Sequence, residues 1–308
     1  MNKKNIKIIL AFGAIYIIWG STYLATRFAI EAIPPLLMVG TRSLTAGIIL
    51  YFLSRKMTNE KLKYENLLPL FLLGAMFFLV GHGLLAWAQQ YVPSGIAALL
   101  VTPEPLLIFG LEWFFLKDTR KKLKGILGLL LGLIGVVFLI VSTSSAADSN
   151  NDLLASILII LGTISWGGGA VYSRTANIPK SPMLSSGMEL IFGGLLVLAV
   201  GFITGETSQF HFDQVTLKSF LGLLYLIIFG SVIAFGSYVW LLKQTSATRI
   251  STHTFVNPVI AVLLGWLFAN EQITFELLAA AVVIIISVYL VLYEQLVKRK
   301  NIKLEIKE

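Results

Sequence analysis

Glu104 sits between Pro103 and Pro105 inside a long apolar run, VPSGIAALLVTPEPLLIFG. An ionised carboxylate turned toward lipid at that depth costs about 3 kcal/mol or more, so this acid must face a cavity or a partner. Two readings follow: an acid that meets a substrate or a proton, or a structural kink carrying a buried, hydrogen-bonded acid. The flanking prolines loosen the helical ladder and can free backbone carbonyls beside it. Asn257 precedes Pro258 in a second apolar run, and its amide can both donate and accept, to a zwitterion or to an interrupted backbone turn. His253 lies one turn earlier on the same face. His82 belongs to a third apolar run and is of the type that changes charge near neutral pH, although a lone histidine also serves as a packing residue. Gln89 and Gln90 follow it and are expected at the membrane interface.

Aromatic side chains beside small residues form another set. Trp19 precedes Gly20, Ser21 and Thr22, Trp166 precedes Gly167, Gly168 and Gly169, and Tyr23 and Tyr172 lie close by in sequence. Small residues permit close helix packing, and the alternative is an aromatic cavity wall. The expected substrate-binding residues are therefore Trp19, Tyr23, His82, Glu104, Trp166, Tyr172, His253 and Asn257. Arg42 and Glu189, near opposite ends of their runs, are expected to make gate or helix-end contacts. There is no H-E-x-x-H, G-x-S-x-G or phosphate-cradling Gly-Lys-Ser/Thr sequence, and no cysteine. An enzyme is not expected, and neither is a cofactor or a metal.

These residues need elements that cross a membrane. Of 308 residues 56% are hydrophobic and 13% charged, with a mean hydropathy of +0.83; a soluble domain carries about 25% charged residues. A hydrocarbon core about 30 Å thick takes about 20 apolar residues per helix. Ten such stretches are expected, at 6–26, 36–54, 67–88, 95–116, 123–142, 153–174, 183–204, 219–241, 249–269 and 275–296. With the N-terminus inside, 21 of 24 basic residues fall in cytoplasmic segments, which predicts a cell-membrane protein with both termini cytoplasmic. The net charge of +8 is then an orientation signal and not a nucleic-acid footprint. The fifth and tenth runs are almost wholly apolar and face lipid or a second copy, as in a homodimer.

The sequence also repeats itself. At an offset of 147, residues 19–53 match 166–200 at eight of 35 positions, including Trp19 with Trp166, Pro35 with Pro182, Gly40 with Gly187 and Gly47 with Gly194. At an offset of 153, Gly83 pairs with Gly236, Trp87 with Trp240 and Pro105 with Pro258. Each half, 1–146 and 147–308, holds five expected spans, an odd number, so the second must enter the membrane upside down. The fold class expected is an all-α integral membrane protein of ten transmembrane helices in two inverted five-helix repeats. Two such halves can rock about a central site and expose it to either side in turn.

The Trp-Gly pairs of the first and sixth spans, VPSGIAALLVTPEPLL in the fourth, and FVNPVIAVLLGWLFANEQIT running through the ninth to Glu271 together resemble the drug/metabolite transporter superfamily, in particular its ten-helix EamA-domain members. The resemblance covers nearly the whole chain. It implies a two-fold pseudosymmetric bundle with a central cavity lined by helices one, three, four, six, eight and nine, and export of amino acids or similar metabolites. The chain departs from strict symmetry at Glu104 and Glu112, whose repeat partners are Asn257 and Gly265. The function expected is secondary active transport of a small metabolite, with outward movement and alternating access; a passive channel or lipid scramblase is the alternative. The partners expected are the solute and membrane lipid.

Overall fold

A computed structural model of the chain describes residues 3–115, 123–144, 149–245, 247–287 and 289–290. Among these the regular structure is entirely helical. Six helices are long and apolar enough to cross a membrane, and shorter apolar helices at Ser94–Ile108, Leu130–Leu139, His253–Ala269 and Phe275–Ser287 accompany them. The basic clusters expected at Lys117–Lys122 and Lys298–Lys307, the acidic connection at Asp148, and the side chains of Glu112 and Trp113 lie outside the described residues.

The elements that matter for the site are α1 (Lys3–Ala29), α2 (Pro35–Met57), α3 (Tyr64–Ala88), α4 (Ser94–Val101), α5 (Glu104–Phe115), α6 (Leu123–Ser144), α7 (Ser149–Tyr172), α8 (Pro182–Ile203), α9 (Leu217–Leu242), α10 (His253–Ala269) and α11 (Phe275–Ser287). Two of the long helices contain a stretch of π turns, at Ala75–Gly83 in α3 and Leu226–Phe235 in α9. A π turn widens the helix and leaves backbone groups less regularly paired, and such turns occur mostly at functional sites. The break between α4 and α5 falls at Thr102 and Pro103, where the proline can supply no N–H to the ladder. Glu104 thereby becomes the first residue of α5, at the positive end of its dipole.

The most extensive helix contact is between α2 and α8. A Cβ placed on Gly47 would lie 2.7 Å from the Ile191 amide nitrogen, and one on Gly194 would lie 2.6 Å from that of Leu44. Backbone therefore meets backbone along this seam, and only glycine fits. Each helix is also capped from beyond the end of the other. Glu60, past the end of α2, accepts from the Lys180 and Ser181 amides at 2.7 and 2.6 Å, where α8 begins. Glu206, past the end of α8, accepts from the Leu36 and Leu37 amides at 3.2 and 2.9 Å, in the first turn of α2. Each carboxylate satisfies orphan N–H groups and meets the positive end of the dipole. Glu271, past the end of α10, does the same for Ser94 and Gly95 at the start of α4, at 2.8 and 3.1 Å. The prolines at 34–35, 93 and 182 start these helices where a missing N–H costs nothing.

The apolar residues of α6, among them Leu130, Ile134, Val137 and Val141, are largely exposed, as befits a helix whose solvent is lipid.

Because the seam has no room for a side chain, Gly194→Val is expected to lower stability by about 1–3 kcal/mol or more. Thermal unfolding in detergent checks this; a midpoint equal to the native one would show that the helices can part without cost.

Candidate functional site

Seven elements converge on a small central cavity of about 70 Å³. From α1 come Trp19, Thr22, Tyr23 and Thr26, from α2 Arg42, from α3 His82 and, just past its end, Gln89, from α4 Val101, from α5 Glu104, from α7 Thr163 and Trp166, and from α10 His253 and Asn257. A water needs about 10–15 Å³ of such space, so the cavity holds a few waters and is closed to a metabolite, whose pocket is typically about 300 Å³ or larger.

The charges in it are buried and poorly matched. Arg42 is 3% exposed; its Nε donates to Ser231 Oγ at 3.3 Å, and it has no ion pair among the described residues. Glu104 is 1% exposed, with Oε1 unbonded and Oε2 3.7 Å from His253 Nε2. The other ring nitrogen of that histidine, Nδ1, lies 2.9 Å from the Ile250 carbonyl, which can only accept, so Nδ1 carries a hydrogen. In the neutral ring Nε2 then presents a lone pair to the carboxyl oxygen. The facing of His253 and Glu104 is favourable only when one proton is carried by the pair. His82 Nδ1 is likewise buried without a partner. Asn257, with its amide nitrogen turned toward its acceptors, donates to the Tyr16 carbonyl at 2.9 Å and the His253 carbonyl at 3.1 Å. Its donors thus hold α1 against α10 beside Pro258.

An aromatic layer closes one side of this cavity. Trp19 lies 5.7 Å from Trp166 and 5.1 Å from Tyr238 between ring centroids, and Trp166 lies 4.7 Å from Phe77. Phe77, Phe78, Phe235 and Tyr238 are among the most completely buried side chains in the chain. The Trp19 indole N–H donates to the Gly230 carbonyl at 3.2 Å, within the π-turn stretch of α9. Edge-to-face contacts of this kind add about 0.5–1.5 kcal/mol each beyond their area.

Beyond the layer a second cavity of about 500 Å³ opens at the end that carries Lys180 and Lys243. Exposed Arg174, Lys243 and Gln244 form its mouth, and buried Phe77, Glu189 and Val239 its floor. Lys243 donates to the Pro179 and Lys180 carbonyls at 2.6 and 2.9 Å and to Ser185 Oγ at 3.4 Å. It stands just past the spanning helix, where burial holds its ammonium below the usual lysine pKa while Glu189 and Glu60 pull it back up. Phe77 lines this second cavity and packs on Trp166, which lines the first.

Of the residues expected from sequence, Trp19, Tyr23, Arg42, His82, Glu104, Trp166, His253 and Asn257 line the central cavity, and Glu189 lines the vestibule. Tyr172, the last residue of α7, lines neither. Arg42 and Glu189 occupy separate compartments. Gln89, expected at the interface, is 1% exposed and donates to the Tyr23 carbonyl at 3.2 Å, because a helix with π turns carries it inward. Tyr238 and the phenylalanines beside it give no sequence signal, being aromatic residues in apolar runs.

A helical bundle with several membrane spans, a broken helix and a buried charged cavity is the framework of a multi-pass membrane transporter. The EamA-like transporter family matches this chain twice, over residues 5–141 and 153–293, and the chain belongs to that family. It is 34% identical over 294 residues to "Uncharacterized inner membrane transporter YedA" of Escherichia coli strain K12, covering 95% of this chain and 93% of that protein. It is 32% identical to "Protein PecM" of Dickeya dadantii, covering 89% and 88%. A crystal structure with 19% identity and a TM-score of 0.65, covering 92% of this chain and 95% of that one, has the same fold.

If the aromatic layer is the barrier, Phe77→Ala should join the two compartments, at a stability cost of about 3–5 kcal/mol. Thr163→Cys, in a chain without other cysteines, would then be labelled faster by an impermeant thiol reagent added at the basic end. Unchanged labelling would place the barrier elsewhere.

Proposed function

We propose that this chain is a secondary active transporter that exports small metabolites such as amino acids by alternating access. In this reading ten spans form two inverted halves, 1–146 and 147–308, with both termini in the cytoplasm of a bacterial-type cell. The observation that carries it is the pair of compartments, one central and one at the basic end, divided by a single layer of aromatic rings. That is an occluded site with a waiting approach, which an always-open pore would not have. The inverted halves are supported by the paired π-turn stretches in α3 and α9, which fall near equivalent positions at an offset of 153, and by the reciprocal carboxylate caps on α2 and α8.

Once parting of the aromatic layer widens it, the central cavity suits a solute with both signs of charge. Arg42 offers a guanidinium with no carboxylate partner among the described residues, and Glu104 an unbonded oxygen. Buried charge without a partner is costly, so a zwitterion that answers both is bound with gain on both sides. Trp19 and Trp166 supply the apolar wall, Tyr23, His82, His253 and Asn257 the polar one, and Tyr172 follows at the end of α7. Arg42 and Glu189 act as gate residues on opposite sides of the aromatic layer. The Glu104 and His253 pair carries the proton that resets the carrier. A second copy or lipid covers the exposed face of α6.

The test is to compare, by untargeted mass spectrometry, metabolites released by bacteria overproducing the native protein with those from cells making equal amounts of Glu104→Ala. Selective release by the native protein alone is expected; identical profiles in both strains and in an empty control would count against export and toward uptake or a channel. In proteoliposomes, labelled solute inside should exchange with unlabelled solute outside in a saturable way, and the exchange should respond to a pH gradient. Glu104→Gln should weaken binding of the solute and lose the gradient response. Full gradient response in that variant would remove the proton role of the pair.

A further inference from the structure

The vestibule at the basic end has a feature that the gate role given to Glu189 does not account for. Glu189 is 1% exposed, lies on its floor and leaves Oε2 without a hydrogen-bond partner. A buried carboxylate oxygen in that position costs free energy unless something arrives to meet it. The three donors of Lys243 are already taken by Pro179, Lys180 and Ser185. Lys243 therefore contributes a positive field at the mouth and no direct bond to Glu189. Arg174 adds to that field from the other rim. Phe77, Ile178, Val239 and Leu242 give the lining an apolar part, beside the hydroxyls of Ser173 and Thr245. At about 500 Å³ the space is of metabolite size.

We propose that this vestibule is a solute-binding site in its own right, for a small zwitterion whose ammonium meets Glu189 and whose carboxylate lies toward Arg174 and Lys243. Opposite charges stand at floor and mouth, and the apolar part of the lining takes a side chain. The aromatic layer at Phe77 separates this site from the central cavity, so a solute held here waits beneath the barrier and moves on when the layer opens. This assignment rests on the transporter reading and adds to it a loading site. It also gives the asymmetry of the pair a cause: Arg42 and Glu189 are equivalent by repeat, yet one faces the central cavity and the other the approach to it.

The chain has no cysteine, so Gln244→Cys at the exposed mouth supplies a single reporter thiol. The full-length protein in nanodiscs is labelled with a water-soluble maleimide in the presence of an equimolar mixture of neutral L-amino acids, or of the same mixture with every amino group acetylated. The free amino acids should slow labelling, and the acetylated ones, which keep the carboxylate and lose the ammonium, should not. Glu189→Gln should weaken the protection about tenfold, as expected for loss of one charged hydrogen bond. Glu189→Asp, which keeps the charge, should retain protection and guards against a variant that merely misfolds. Protection that is equal in Glu189→Gln, equal with the acetylated mixture, or absent with free amino acids would overturn the site. Exchange flux measured on the same preparations in proteoliposomes separates the two readings. Flux without protection removes the vestibule site alone, whereas protection without flux removes the transporter reading and leaves a binding site.

Discussion

The seam between α2 and α8 is the constraint on which the rest of the bundle depends. Gly47 and Gly194 bring two backbones within van der Waals contact, and the carboxylates of Glu60 and Glu206 tie the start of each helix to the segment beyond the other's end. In lipid the hydrophobic effect does not press helices together, so this close packing and these charge-assisted bonds must supply the association. A pair fixed along its length and at both ends is a rigid spine. Arg42 and Glu189 both project from it, one toward each compartment.

A rigid spine also says where movement must occur. Sliding α2 against α8 would drive glycine-sized gaps into side chains, so in the proposed transport cycle a change of access comes from helices that pack on the spine more loosely. The π-turn stretches of α3 and α9 lie where the aromatic layer is built, with Phe77 and Phe78 in one and Phe235 at the end of the other. A π turn can relax to α with a change of register, which rotates the side chains beyond it. The break at Thr102 and Pro103 gives α4 and α5 the same freedom beside Glu104. The layer itself is held by ring contacts and by the Trp19 indole hydrogen bond. Each is worth about 1 kcal/mol, which suits a closure that must be reversible.

Most of what the sequence made legible came from cost. Glu104 in an apolar run must be turned inward, and so must Arg42, His82 and Asn257; all four line one cavity. The glycines matched between halves mark the seam because no other residue type fits there. What the sequence left dark was partnership over distance. Glu104 faces His253 from 149 positions away, and Glu60, Glu206 and Glu271 accept from amides 120 or more residues away. A loop carboxylate looks the same in sequence whether it caps a helix or faces water. The aromatic layer was invisible for the opposite reason, since Tyr238 and Phe77 are ordinary members of apolar runs and only their meeting gives them a role.

The two buried acids show how one fold uses the same group in different ways. Glu104 begins a half-helix and faces a histidine whose other nitrogen is committed to the Ile250 carbonyl, so its surroundings favour a shared proton. Glu189 sits two turns into an unbroken helix, with the charge of Lys243 near and no hydrogen-bond donor for Oε2, so its surroundings favour a cation arriving from outside. Neither arrangement is what stability alone would select, because an apolar residue of similar volume in either place would avoid the desolvation that a carboxylate incurs. Their retention at the two faces of one aromatic layer is what makes a solute pathway the physical reading of this bundle.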